Sequence, residues 1–381
     1  MDLEALVFFL AGLTLLIAGA EILVRGSSRL SSVVGISPVV IGLTVVAFGT
    51  SSPELAISFH ATLSGEPDIV LGNVVGSNVF NVLFILGISA AITPLVIAQK
   101  LVRIEVPLMI GVSMLLFFLA LDGKIGRFDG VLLTCGIVGY CLFAIRESLR
   151  ESLAIRAEYE KKFGPCNKRI SQVFLNILLV GLGLAMLTLG SRWLLKGAVS
   201  LAEAMGVSKL VIGLTIIAAG TSLPEVATSV VASIRGERDI AVGNAVGSNL
   251  FNILAVLGLS SILAPDGIGV APSALKFDIP VMIVVSIACL PIFFTGYQIA
   301  RWEGFLFLAY YALYIIYLFL ETTKHSALPE YSFVMGFFVI PLTFLTLAIL
   351  VFRALKLKRV SKVDGAHSQQ SPAGEDVSRN R

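Results

Sequence analysis

Residues 42–58 read GLTVVAFGTSSPELAIS, and residues 213–229 read GLTIIAAGTSLPEVATS. A second pair follows at the same spacing: 72–89 reads GNVVGSNVFNVLFILGIS and 243–260 reads GNAVGSNLFNILAVLGLS. Every match lies 171 residues from its partner, and 11 of 17 positions in the first pair and 12 of 18 in the second are identical, so the chain carries an internal duplication. The shared positions are Gly, Asn, Ser, Thr, Pro and Glu, set inside apolar stretches. A carboxylate in such a setting is costly unless it has work to do. Two of them in duplicated helices, Glu54 and Glu225, point to an ion site at a repeat interface.

Composition sets the class. The chain is 56% hydrophobic and 14% charged, with a mean hydropathy of +0.93, far outside the range of soluble domains. Eleven apolar stretches approach or exceed the length needed to cross a bilayer: 3–24, 39–59, 69–88, 104–121, 131–145, 173–194, 210–233, 240–263, 279–294, 305–320 and 333–352. The first opens with Met1-Asp2-Leu3-Glu4 rather than a basic region and is long for a signal peptide, so it reads as a span. With the N-terminus outside, nineteen Lys and Arg fall on the cytoplasmic side before the last two tail arginines, against seven on the other side. The positive-inside rule supports that orientation and places the C-terminus in the cytosol.

These spans divide the chain into a first repeat over 1–145, a cytoplasmic linker over 146–172, a second repeat over 173–320, an extra C-terminal span within 321–352, and a disordered cytoplasmic tail over 353–381. Each repeat has five spans. An odd number means that the copy inserts upside down, so the expected fold is an all-α polytopic membrane protein of two inverted five-helix repeats, a ten-helix core, with an eleventh helix outside the duplication. Phe128-Asp129-Gly130 and Trp302-Glu303-Gly304 extend the match at an offset of 174.

The chemistry concentrates in the doubled motifs. Thr50, Ser51 and Glu54 share one helix face. Pro53 has no N–H for the carbonyl of Gly49, and the glycine lets the backbone open there. Thr221, Ser222, Pro224 and Glu225 repeat the arrangement beside Gly220. In the next spans Ser77 and Asn81 are i, i+4, as are Ser248 and Asn252. Facing one another across a pseudo-two-fold, these groups make an all-oxygen cage. Calcium takes about six to eight oxygens including carboxylates, and sodium accepts the same hard ligands. Singly, the hydroxyls and glycines fit ordinary helix packing, and Asn73, Asn78 and their partners read as interhelical glue. Glu21, with Arg192 at its repeat-equivalent place, reads as a helix-end or salt-bridge residue, and Glu105, Asp122, Asp129, Asp278 and Glu303 read as interfacial. Cys135, Cys141, Cys166 and Cys289 show no metal spacing and read as packing or loop residues. No His/Cys cluster, nucleotide loop or catalytic triad is present, which argues against an enzyme.

GTSSPE with GNVVGSNVFN, and GTSLPE with GNAVGSNLFN, resemble the two alpha repeats of the cation/calcium exchanger superfamily, and within it the prokaryotic sodium/calcium exchanger branch. The resemblance implies antiport of Ca²⁺ against Na⁺, with cation sites between the second, third, seventh and eighth helices. It implies Glu54 and Glu225 as the central shared ligands, with Thr50, Ser51, Thr221, Ser222, Ser77 and Ser248 supplying further oxygens. It also implies backbone carbonyls near Ala47 and Ala218, and Asn81 lining the middle of the cavity. Asn252 departs from the pattern, because potassium-dependent members and some archaeal members carry an aspartate there. One negative charge fewer argues against a potassium requirement. The proton-coupled calcium branch resembles a different motif at the glutamate, although a buried Glu can also carry protons, so proton-coupled divalent antiport on the same fold is the alternative. A channel or receptor with a structural ion site is the third reading, disfavoured by the duplicated broken helices. No cofactor and no nucleic-acid partner is expected. The expected partners are the bilayer of a prokaryotic plasma membrane and Ca²⁺ and Na⁺ as cargo.

Overall fold

The computed structural model describes residues 3–66, 68–149, 170–206, 212, 216, 218–294, 296–336, 341, 348 and 352. Its helices are α1 (Leu3–Val34), α2 (Pro38–Thr50), α3 (Ser52–Leu63), α4 (Ile69–Ile92), α5 (Leu101–Asp122), α6 (Arg127–Ser148), α7 (Ser171–Ala204), α8 (Leu223–Ile234), α9 (Arg238–Leu263), α10 (Ala274–Phe294), α11 (Arg301–Thr322) and α12 (Leu328–Val334). Among the described residues eight of these are long and apolar enough to cross a membrane, and the α2–α3 pair, bent by 41°, is a ninth if it is one broken span. The seventh expected span is described from Ala218 onward, as Ala218–Gly220 and α8. The eleventh span lies largely outside the described residues, as do most of the linker and the tail.

The first and sixth expected spans end about ten residues too early. α1 continues to Val34 and α7 to Ala204. The apolar run stops near Val24, but Glu21 pairs with Arg25 one turn later and with Arg235 of the α8 C-terminus at 2.6 Å, so the polar end of α1 keeps helical and tertiary support. At 1.5 Å per residue α1 is about 48 Å long, well beyond a hydrocarbon core of about 30 Å. Leu3, Val7, Leu10 and Ile17 of α1, and Phe174, Leu178, Leu182 and Leu189 of α7, are exposed. Such outward apolar stripes suit lipid rather than water.

Contacts between the halves come in reciprocal pairs. β1 (Leu95–Val96) pairs antiparallel with β4 (Gln298–Ile299), and β2 (Lys124–Ile125) with β3 (Ile268–Gly269). Leu95 faces Ile299, and Ile125 faces Ile268, which are the same two places with the halves exchanged. α4 packs on α11 while its counterpart α9 packs on α6. Exchange of this kind is the signature of a two-fold relation. The main apolar core forms around α4 and α9, which are buried along most of their length, with α5, α6 and α10 against them. A second cluster joins α1, α2, α7 and α8 through Leu16, Leu23, Val46, Val180, Leu187 and Ala232.

α1 and α7 are repeat equivalents that run antiparallel with their backbones in contact. A Cβ on Gly12 would meet the Leu194 nitrogen at 2.2 Å and the Gly190 oxygen at 2.8 Å, and one on Gly190 would meet the Leu16 nitrogen at 2.8 Å. Gly19 and Gly183 make the exchanged contact, where a Cβ on Gly183 would meet the Gly19 oxygen at 2.9 Å. Small residues are the usual means of close helix approach in lipid. Gly190→Val is expected to lower stability by about 1–3 kcal/mol through overpacking against backbone that cannot yield. Thermal unfolding of the purified protein in detergent reads this, and an unchanged midpoint would show that the seam tolerates separation.

Candidate functional site

α2 stops at Thr50 and α3 starts at Ser52, leaving Ser51 at φ −78°, ψ 4°. Ser222 holds the equivalent place before α8 at φ −90°, ψ 10°. Pro53 and Pro224 stand at the starts of the following helices, where a missing N–H costs nothing. The breaks put Glu54 and Glu225 in the first turn of α3 and α8, at the positive end of each helix.

Both glutamates are buried, at 1% exposure each, and each is held by the other half. Ser222 Oγ donates to Glu54 Oε1 at 3.0 Å, and Ser51 Oγ donates to Glu225 Oε1 at 3.4 Å. Ser222 Oγ also lies 3.3 Å from Ser77 Oγ, which brings α4 to the same point. Thr50 Oγ1 donates to Asn244 Oδ1 at 3.0 Å. These hydroxyls spend their protons on protein acceptors, which leaves oxygen lone pairs for a cation.

Each broken helix is clamped from the next span of its own half. Asn73 Nδ2 donates to the Glu54 carbonyl at 3.2 Å and to Ser58 Oγ at 3.0 Å. Asn244 Nδ2 donates to the Glu225 carbonyl at 3.4 Å and to Ser229 Oγ at 3.0 Å. Asn81 and Asn252 begin matching π-helical turns, Asn81–Leu86 and Asn252–Leu257. Local π turns recur at functional sites because they shift side chains out of α register.

Six buried oxygens of this set have no hydrogen-bond partner among the described residues: Glu54 Oε2, Glu225 Oε2, Thr221 Oγ1, Ser248 Oγ, Asn81 Oδ1 and Asn252 Oδ1. Neither glutamate has a Lys or Arg ion-pair partner among the described residues. No group of three or more His, Cys, Asp and Glu with metal-site geometry occurs there either. Carboxylate, hydroxyl and amide oxygens are the ligand types that hard alkali and alkaline-earth cations take.

Residues 4–146 and 175–320 match the family described as sodium/calcium exchanger protein. The chain belongs to that family. It is 32% identical over 341 residues to the sodium/calcium exchanger MaX1 of Methanosarcina acetivorans, covering 81% of this chain and 97% of that one. It is 36% identical over 291 residues to the inner membrane protein YrbG of Escherichia coli K12, covering 75% and 87% respectively. Among solved structures, the sodium-calcium exchanger NCX_Mj soaked with zero Na⁺ and Ca²⁺ superposes with a TM-score of 0.72 at 30% identity, covering 84% of this chain and all of that one. This exchanger-family chain is thus a multi-pass membrane transporter rather than an enzyme.

The exchanger fold brings Thr50, Ser51, Glu54, Ser77, Glu225 and Ser222 to one place by the contacts above. Thr221 stands next to Ser222 at the second break, Ser248 is fully buried, and Asn81 and Asn252 lie on α4 and α9. The Ala47 carbonyl accepts the Ser51 N–H at 2.9 Å and lies 3.3 Å from Thr50 Oγ1. Ala218 begins the short helical stretch before the second break. The asparagines read as glue do join helices, and Asn73 and Asn244 also pin the glutamate backbone.

Four of the acids read as interfacial have definite places in the structure. Glu105 is fully buried, and Glu303, at 4% exposure, accepts the Ala300 N–H at 2.7 Å. Asp129 accepts the Gly126 N–H at 2.8 Å, so the Phe-Asp-Gly and Trp-Glu-Gly motifs are helix starts capped by their acids. Asp278 accepts from Tyr314 at 3.2 Å; Glu105 and Tyr140 are the corresponding residues of the first half, at offsets of 173 and 174. Extending the 174 offset from Gly130 to Tyr140 exposes that pair in the sequence. Glu21 forms the expected salt bridges, with Arg25 and Arg235.

Glu54→Gln and Glu225→Gln are each expected to insert and purify normally while calcium-dependent transport falls to background. Removing one carboxylate leaves a divalent ion half compensated in a site of low polarity. Vesicle flux of the purified variants checks this, and near-normal transport by either would remove the glutamates from the centre of the site.

Proposed function

We propose that this protein exchanges Ca²⁺ for Na⁺ across the plasma membrane of a prokaryote, by alternating access at one oxygen-lined site. The observation that carries the reading is the reciprocal placement of Glu54 and Glu225. Each is buried, hydrogen-bonded by a serine of the other half, and left with one unpartnered oxygen. Two negative charges with no cationic side chain paired to them among the described residues call for cargo carrying two positive charges. The ligand set is Glu54, Glu225, Thr50, Ser51, Thr221, Ser222, Ser77, Ser248, Asn81 and Asn252, with the Ala47 and Ala218 carbonyls.

On this reading 1–145 and 173–320 form two five-helix units of opposite orientation. The antiparallel course of α1 and α7 and the exchanged β pairs support it. The N-terminus lies outside, and the basic 146–172 linker and 353–381 tail lie in the cytosol, as the distribution of Lys and Arg supports. An inward sodium gradient then drives calcium out of the cell.

Radiolabelled calcium uptake into sealed proteoliposomes tests the coupling. A sodium gradient is expected to drive flux and a pH gradient of equal size is not. The opposite result transfers the assignment to proton-coupled divalent antiport. Replacing K⁺ by choline on both sides is expected to leave the rate unchanged, because Asn252 brings no third charge. A steep loss without K⁺ would refute that inference.

A further inference from the structure

Asn81 and Asn252 differ from the other candidate ligands in one respect. A hydroxyl or a carboxylate presents oxygen however it turns, whereas an amide has one end that accepts and one that only donates. Only the oxygen end can hold a cation. Something must tell the two ends apart.

The neighbouring asparagines of the same motifs do so. Asn81 Nδ2 donates to Asn249 Oδ1 at 3.0 Å, and Asn252 Nδ2 donates to Asn78 Oδ1 at 3.1 Å. Both contacts cross between the halves and are exchanged copies of each other. The Oδ1 atoms of Asn81 and Asn252 are buried and unpartnered among the described residues. Which end of Asn78 faces Asn252 follows from its other contact: Asn78 Nδ2 lies 3.3 Å from the backbone carbonyl of Asn249. A backbone carbonyl accepts and never donates, so it takes the NH₂ end of Asn78. The oxygen end of Asn78 is left for Asn252, which must meet it with its own NH₂ and turn its oxygen away. In the other copy the Asn249 NH₂ faces the weak acceptor Met109 Sδ at 3.4 Å, which leaves the Asn249 oxygen for Asn81. An O/N assignment that shape alone leaves ambiguous is closed by a chain ending on the main chain. Asn81 and Asn252 sit one turn beyond Ser77 and Ser248 on the same helix face, so the freed oxygens join the row of ligands.

We propose that Asn78 and Asn249 are positioning residues that hold the Asn81 and Asn252 amides oxygen-inward. Without touching the ion, they make two neutral side chains into cation ligands. This inference rests on the cation-site reading above.

The test is calcium affinity of the purified full-length protein, by titration calorimetry in detergent. Asn249→Leu keeps the approximate size and removes the acceptor. It is expected to weaken binding by roughly 10- to 100-fold, the range for partners that orient a metal ligand. The deciding variant is Asn81→Asp. A carboxylate has oxygen at both ends, so Asn249→Leu is expected to change affinity little in the Asn81→Asp background. If the loss is as large there as in the parent, Asn249 acts by packing and the inference is overturned. Wild-type affinity of Asn249→Leu overturns it too. Asn78→Leu with and without Asn252→Asp repeats the comparison in the mirror half. Should the leucine variants fail to fold, Asn249→Gln, which keeps a neutral acceptor, is compared in the parent and Asn81→Asp backgrounds: a loss confined to the parent is expected, and an equal loss in both would overturn the inference. Glu54→Gln is run alongside. If it binds calcium normally, the cation-site reading falls and takes this inference with it. If it loses binding while Asn249→Leu does not, only the positioning role falls.

Discussion

Two carboxylates buried between the halves of a membrane protein, with no cationic side chain to pair them among the described residues, constrain everything around them. At an effective dielectric near 20, like charges about 4 Å apart repel by about 4 kcal/mol. A divalent ion about 2.4 Å from each oxygen attracts each carboxylate by about 14 kcal/mol on the same scale, before its own dehydration. Attraction wins only if other oxygens replace the water the ion gives up. That requirement accounts for the hydroxyls of Ser51 and Ser222, each donating its proton to a glutamate and keeping lone pairs free. It also accounts for the broken helices, which turn the start of a helix toward the charge instead of a closed ladder of hydrogen bonds.

The two-fold arrangement makes each half-site incomplete alone. Glu54 needs Ser222, and Glu225 needs Ser51. The asparagine clamps, by contrast, act within a half: Asn73 holds the Glu54 segment and Asn244 the Glu225 segment. Each carboxylate is thus fixed locally and completed remotely. A relative shift of the halves would alter both half-sites together while leaving each clamp intact. The α1–α7 pair belongs to a separate apolar cluster from the one around α4 and α9, and α2 contributes residues to both.

Much of this was legible in the sequence, because a duplication displays its own constraints. The repeat located the glutamates, the helix breaks and the small residues between them. Pro53 and Pro224 announced the breaks through the missing N–H, a local effect that needs no tertiary knowledge. Helix lengths were less legible. Hydropathy follows lipid contact, and α1 outlasts its apolar run because Glu21 finds Arg235, 214 residues away. The burial of Glu105 was hidden for a related reason. Its place near a span end says nothing of which helices cover it, and no periodicity states that. The donor-to-acceptor sense of the asparagine network was hidden altogether, since it is settled across the interface by the backbone carbonyl of Asn249 for one pair and by Met109 Sδ for the other.

The choice of amides at 81 and 252 follows from the same charge argument. A third carboxylate beside the glutamates would add about 4 kcal/mol of repulsion for each neighbour about 4 Å away, and would need a further cation to offset it. An amide supplies an oxygen without the charge. It also brings an NH₂ group that repels the cation if the side chain turns over. Serine and threonine avoid this difficulty by rotating the hydroxyl, and glutamate avoids it by symmetry. Asparagine can do neither, which is why a second asparagine, three residues earlier in each motif and acting across the interface, belongs beside it. The SNxxN spacing of Ser77-Asn78 with Asn81, and of Ser248-Asn249 with Asn252, thereby encodes a ligand together with the group that orients its counterpart in the other half.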